Sequence, residues 1–224
     1  MTPIISFDMD GTLVESEYTD WVWNHGIPNL YAKKAGLSFE EAKAFVEGEY
    51  RKVGDGAPEW YDIQYWFRFF QLQTGWRALM EQYVDKIGVY PDVSHLLDRL
   101  KGRFKLVLTS NAGREFIEVE MGATGLDRYF DRIFSATSDF QEVKKTPRFY
   151  HRVCEILKVP PGDLVHVGDH FEFDYLVPRA VGIRAFYLDR SAQQDGEFIL
   201  RDLRDLESKL YPIEGLRNPP DFRG

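Results

Sequence analysis

Residues 4–13 read Ile4-Ile5-Ser6-Phe7-Asp8-Met9-Asp10-Gly11-Thr12-Leu13. An apolar, β-rich run stops at an aspartate, and a second aspartate follows two positions later, ahead of a Gly-Thr turn. Three further runs share this design. Phe104-Lys105-Leu106-Val107-Leu108-Thr109 stops at Ser110, Leu164-Val165-His166-Val167-Gly168 at Asp169, and Ile183-Arg184-Ala185-Phe186-Tyr187-Leu188 at Asp189. A weaker candidate covers residues 132–136. Continuous apolar runs of this length fit strands buried on both faces of a parallel sheet. Helical patterns separate them: residues 91–101, residues 113–121, and a run from Thr146-Pro147 to Leu157 with threonine as N-cap and proline at the first helical position. Alternating β and α signals imply a doubly wound α/β sheet. Such sheets bind ligands at the carboxyl ends of their strands, where Asp8, Ser110 and Asp169 fall.

Residues 15–90 read differently. Ser38-Phe39-Glu40-Glu41 is a capping box ahead of a helix to about Val53, and residues 61–72 and 76–87 have helical patterns. Gly26, Pro28, Gly54, Gly56 and Pro58 punctuate the segment, and no convincing strand occurs in it. It holds all five tryptophans and half of the aromatic residues. Most of these predict a core for a helical subdomain, and a minority near the loops would face a substrate. The expected organisation is therefore an α/β core formed by residues 1–14 and 91–224, with a helical insert over residues 15–90. The tail at residues 213–220 reads as irregular packing or fraying.

With 224 residues, a hydrophobic fraction of 44% and a charged fraction of 29%, the chain can bury a proper core. Its net charge of −8 argues against nucleic acid or an acidic membrane as partner. One cysteine, Cys154, excludes an internal disulfide and any zinc site built from several cysteines. The N-terminus has no basic stretch and no long apolar run, so a cytoplasmic, soluble protein is expected, as monomer or homodimer.

Asp8 and Asp10, just past a buried strand, repel one another unless a cation or a shared proton lies between them. A hard divalent ion with oxygen ligands, Mg²⁺ by default, meets that need. One carboxylate can then attack phosphorus while the other handles the proton of the leaving group. Asp8-x-Asp10-Gly11-Thr12 resembles the first motif of the haloacid dehalogenase-like superfamily of hydrolases, and three further motifs follow in order. Ser110 before Asn111 matches the strand-end hydroxyl that binds a phosphoryl oxygen. In Lys144-Lys145-Thr146-Pro147-Arg148-Phe149 the alignment selects Lys144 as the functional lysine, with Lys145, where proline is common, as the other reading. Gly168-Asp169-His170-Phe171-Glu172-Phe173-Asp174 matches the fourth motif. The chain departs from the family at Val177-Pro178, where Gly-Ala is frequent. Proline is tolerated in a first helical turn, so only a local change is expected.

The resemblance implies a Rossmann-like core with an all-helical cap that closes over the site, about hinges near residues 15–18 and 89–92. It implies Asp8 as the nucleophile that forms an aspartyl-phosphate and as a Mg²⁺ ligand. Asp10 becomes the acid and then the base, its backbone carbonyl helping to bind the metal. Ser110, Asn111 and Lys144 hold the phosphoryl group, Asp169 ligates the metal, and Asp174 supports the metal or orients the lysine. The dehalogenases of the family typically lack an acid at the Asp10 position, so a phosphatase acting on a small phosphorylated metabolite leads. A sugar phosphomutase, a 2-haloacid dehalogenase and a non-catalytic phospho-acceptor or binding module follow in that order. Arg51, Lys52, Arg68 and Arg77 read as solvated cap cations. Of the five histidines, His166 points off a buried strand and only His170, beside Asp169, is placed to line the site.

Overall fold

The computed structural model describes residues 3–210, so the tail at residues 213–220 lies outside the described residues. Six parallel strands form one sheet in the order β3-β2-β1-β4-β5-β6. They are β1 (Ile4–Phe7), β2 (Lys105–Ser110), β3 (Arg132–Ser135), β4 (Leu164–Gly168), β5 (Arg184–Leu188) and β6 (Ile199–Leu200). The first five are the runs read above. The two-residue β6 is too short to carry a pattern of its own.

Alternation along β1 explains the three-layer build. Ile5 and Phe7 face a core shared with Leu97 and Leu100 of α6 (Val93–Leu100) and Met121 of α7 (Arg114–Thr124), while Ile4 faces Phe149 and Val153 of α9 (Pro147–Leu157). The register pairs Phe7 with Leu108 on one side and Val167 on the other, so β1, β2 and β4 end side by side. The chain runs from β1 out to β2 and β3, then returns across β1 to β4. That reversal opens a crevice beside the end of β1.

Between β1 and α6 the described chain is helical: α1 (Glu17–Trp21), α2 (Ile27–Ala35), α3 (Phe39–Val53), α4 (Ile63–Phe69) and α5 (Trp76–Glu81). The capping box forms as expected. Ser38 Oγ accepts from the Glu41 amide at 3.3 Å, and the Ser38 amide donates to Glu41 Oε2 at 3.0 Å. The punctuation at Gly26 and Pro28 does not break the chain into loops. A π-helical turn at Val22–Gly26 joins α1 to α2, and Pro28 sits in the first turn of α2, where its missing N–H costs no bond. Conversely, α4 is shorter than its pattern suggests because Gln71 turns the chain with φ of 49°, and the pattern over residues 76–87 divides into α5 and a 3-10 turn at Val84–Lys86. Trp66, Tyr50, Phe67 and Phe70 pack as a core separate from that of the sheet, each large aromatic contributing about 1.5–3 kcal/mol by burial. Phe116 of α7 joins that core from below.

The remaining α-helices among the described residues are α8 (Ala136–Phe140), α10 (Val177–Ala180), with Pro178 in its first turn, and α11 (Leu206–Leu210). Among the described residues no helix is long and apolar enough to cross a membrane. One buried acid stands out: Glu120 of α7 is fully buried, with no hydrogen-bond partner for either side-chain oxygen among the described residues. Burial, reinforced by Asp10, pushes its carboxyl well above the usual range, so the folded state holds a proton there that the unfolded chain releases. Stability is therefore lost as pH rises above the ordinary glutamate value. Glu120→Met, close in volume, is expected to raise stability by about 1–3 kcal/mol, more at pH 8 than at pH 5, in thermal melts.

Candidate active site

The turn after β1 carries Asp8 and Asp10. The Asp8 amide donates to the Val167 carbonyl at 2.9 Å, continuing the sheet by one residue. The chain then folds back so that the Leu13 amide reaches the Met9 carbonyl at 2.8 Å. Gly11 takes φ of 78°, and a Cβ there would overlap the Asp169 carboxylate, so only glycine permits this approach. Gly168 is equally constrained, because its Cβ would run into the Asp174 side chain. Thr12 Oγ1 reaches Asp169 Oδ1 at 3.1 Å and Asp8 Oδ2 at 3.4 Å, tying the two aspartates together. Asp8, Asp169 and Asp174 each offer an oxygen within 4.8 Å of the others.

The lysine that meets them is Lys145, not Lys144. Its Nζ contacts Asp8 Oδ1 and Asp174 Oδ1 and donates to the Thr109 carbonyl at 3.3 Å, with the side chain 1% exposed. The reason lies in the start of α9. Thr146 caps it, its Oγ1 accepting from the Phe149 amide at 3.1 Å. This cap places Lys145 inward and leaves Lys144 facing the helical insert. Lys144 Nζ donates to Tyr61 Oη at 2.6 Å and lies 4.0 Å from Asp55. The motif, counted from the position where proline is common, selects Lys144, whereas the structure brings Lys145 to the acids and leaves Lys144 in the cavity lining; the local signal that separates them is the cap at Thr146.

Asp174 has its oxygens committed. Oδ1 takes Lys145 and His166 Nε2, the latter at 3.0 Å, and Oδ2 takes the His170 amide at 3.0 Å. His166, on β4, continues inward to Ser6 Oγ at 3.0 Å, and Ser6 meets Thr109 Oγ1 at 2.8 Å. This buried polar chain was not expected beyond the orientation of His166. Its only trace in the sequence is a serine, a threonine and a histidine inside apolar strands. His170 does not line the cavity described below; its ring lies against Phe173, centroids 4.4 Å apart.

Two buried carboxylates, Asp8 and Asp174, thus share one ammonium, with Asp169 beside them. Burial works to raise Asp174, yet Lys145 and His166 outweigh it and hold its carboxyl below the usual range. Burial likewise works to lower Lys145, and Asp174 and Asp8 outweigh it. The Lys145 charge is taken up mainly by Asp174, because Asp8 is pushed well above its usual value by burial, and by Asp174 and Asp169, despite the lysine. Asp169 is raised too, by burial and then Asp174. The surplus negative charge at Asp8 and Asp169 fits a hard divalent cation, with carboxylate oxygens as donors. Burial and then the neighbouring Asp169 push Asp10 up to about 7.

A cavity of about 430 Å³ opens beside these groups, lined by Asp10, Asn111 and Lys144 and by the rings of Trp23, Tyr50, Trp60, Tyr61 and Phe116. Asp10 Oδ1 and Asn111 Oδ1 are buried with no hydrogen-bond partner among the described residues. Ser110 Oγ accepts from the Ala112 amide at 3.0 Å, which leaves its own proton free to donate. Removing either lysine separates their parts. Lys145→Met leaves Asp8 and Asp174 uncompensated and is expected to cost about 3–5 kcal/mol in denaturant melts and to abolish turnover. Lys144→Met should melt like the parent protein and change KM more than kcat.

A parallel sheet with four acids at its carboxyl edge and a helical insert after the first strand defines a hydrolase of the haloacid dehalogenase-like family. The chain belongs to that family, whose model matches residues 2–182. Over 153 residues it is 29% identical to the GMP/IMP nucleotidase YrfG of Escherichia coli, the match covering 67% of each chain. It is 32% identical over 94 residues to the N-acylneuraminate-9-phosphatase of Rattus norvegicus, covering 42% of this chain and 38% of that one. Among solved structures, a HAD phosphatase from Thermococcus onnurineus superposes with a TM-score of 0.79 at 27% identity, covering 93% of this chain and 97% of that one.

Proposed function

We propose that this protein is a Mg²⁺-dependent phosphomonoesterase that works through an aspartyl-phosphate on Asp8. The carrying observation is the contrast between two aspartates two residues apart. Asp8 is held against Lys145, while Asp10, raised to about 7, faces the cavity with a buried and unbonded oxygen. One is placed to attack and the other to hold a proton. Asp8, Asp169 and the Asp10 carbonyl are the groups to hold Mg²⁺, with Asp174 supporting them through Lys145. Bound there, the ion offsets charge on the phosphoryl oxygens.

Asp8 Oδ2 attacks phosphorus as the ester oxygen leaves with the Asp10 proton. Asp10, now a carboxylate, takes a proton from the water that attacks the acyl phosphate and restores Asp8. Lys145, Ser110 and Asn111 position the phosphoryl group. Residues 15–90 act as the cap that closes over it and excludes water.

The cavity also speaks to the leaving group. Five aromatic side chains favour a flat ring system by offset stacking, and Asp20 and Asn24, also in the lining, supply polar partners for its edge. A nucleoside monophosphate fits this chemistry and agrees with the nucleotidase relative. The test is phosphate release from GMP, IMP, N-acylneuraminate 9-phosphate and an aryl phosphate, with Mg²⁺ and with chelator. Turnover that needs Mg²⁺ and favours the purine nucleotides is expected. Full activity in chelator would refute the metal, and preference for the sugar acid ester would refute the nucleotide.

A further inference from the structure

We infer that Arg190 is a positioning residue that ties the turn carrying Asp10 to the hinge of the helical insert; its effect on turnover rests on the phosphatase reading above. Arg190 follows β5 and lies outside every motif described so far. Its guanidinium spends its donors on two places at once. Nη2 donates to the Thr12 carbonyl at 2.7 Å and Nε to the Gly11 carbonyl at 3.3 Å. Nη1 reaches Asp92 Oδ2 at 2.9 Å, and Nη2 reaches Asp92 Oδ1 at 3.2 Å. The same group lies 3.7 Å from the centroid of the Tyr90 ring.

These partners have distinct jobs. Gly11 and Thr12 form the turn just past Asp10, and the Thr12 hydroxyl touches both Asp8 and Asp169. Tyr90 and Asp92 belong to the return strand of chain from the helical insert. The two crossings pair with each other. The Glu15 amide donates to the Gly88 carbonyl at 2.8 Å, the Tyr90 amide donates to the Leu13 carbonyl at 3.1 Å, and Val14 bridges Val89. Asp92 is buried and also accepts the Leu203 amide at 2.8 Å, which anchors the hinge to the segment after β6. Arg190 therefore joins the catalytic turn to the return crossing, which Asp92 in turn anchors to the core. A change in the angle of the insert reaches the Gly11–Thr12 carbonyls through this side chain as well as through the paired backbone of the crossings.

The geometry demands arginine. A planar fork can bind a carboxylate with two N–H groups, hold two carbonyls and stack on a ring together, whereas a lysine ammonium offers a point charge. Arg190→Lys should keep the charge beside Asp92 and hence the fold, yet lose the alignment of Gly11 and Thr12. Arg190→Met should lose both.

The experiment combines steady-state kinetics on an aryl phosphate with hydrogen exchange of the full chain. Arg190→Lys is expected to lower kcat about tenfold or more with KM changed less than threefold. Amides in residues 11–15 and 88–92 should exchange faster, while β2 and β4 keep their protection. Either of two results overturns the inference. One is kcat within twofold of the parent in both variants. The other is faster exchange spread through β2 and β4, which makes Arg190 a support for the fold alone. If the parent enzyme turns over no phosphate ester with Mg²⁺, the phosphatase reading fails separately. Exchange then decides the tie: a rise confined to the two crossings supports it, and no rise removes it.

Discussion

Asp8→Asn is expected to lower turnover by a factor on the order of 10⁴ or more while the protein stays folded. The proposed nucleophile is lost outright, since an amide oxygen cannot form the acyl phosphate. The fold survives because burial already pushes the Asp8 carboxyl up, so a neutral group of the same shape removes little that the structure relied upon. Lys145 keeps Asp174 as its charged partner, and the new amide oxygen still accepts its hydrogen bond. The melting temperature should therefore equal or exceed that of the parent. Asp8→Ala is a harsher change, leaving Lys145 and the Thr12 hydroxyl facing a gap. Rapid acid quench with radiolabelled substrate should trap label on the parent chain and none on Asp8→Asn. Label on the variant, or turnover within tenfold of the parent, would move the nucleophile elsewhere.

Much of this architecture is legible because strand burial imposes continuous apolar runs, and because each run ends where a polar group is needed. Ile4-Ile5-Ser6-Phe7-Asp8 announces both a strand and a site, and the same holds for Leu164 to Asp169. What escapes has physical causes. Adjacent lysines look alike in a sequence, and only the cap at Thr146 decides that Lys145 turns inward. The helix through Gly26 and Pro28 escapes because propensity is local, whereas a π-turn and packing against the insert's own core bridge the break. Ser6, Thr109 and His166 escape because single polar residues inside apolar strands carry no periodic signal. Their meaning emerges only when three neighbouring strands bring them within 3.4 Å of one another. Arg190 is silent for a similar reason: its partners lie about 100 to 180 positions away.

Asp10→Asn should produce a loss that depends on the leaving group. With a nucleoside monophosphate the departing alkoxide needs a proton, and removing the acid is expected to cost about 10²–10⁴ in rate. The nitrophenolate of a nitrophenyl phosphate is a stable anion that leaves without a proton, so phosphorylation of Asp8 should stay fast. In the proposed mechanism Asp10 is also the base for the second step, so the phosphoenzyme should then persist. A burst of nitrophenol followed by slow turnover is the expected trace. The pH profile follows from the same group. Asp10 is raised to about 7 by burial and by Asp169, and in the proposed mechanism its protonated form is the donor. The donor fraction therefore falls as pH rises through that value, and kcat/KM for the nucleotide should fall with it. A cation beside Asp169 offsets part of the push on Asp10, so the limb of the Mg²⁺ enzyme should lie at or below about 7. The nitrophenyl ester should lack this limb, because its first step draws no proton from Asp10. Equal losses on both esters, without a burst, would remove Asp10 from both roles and leave it as a support for the turn.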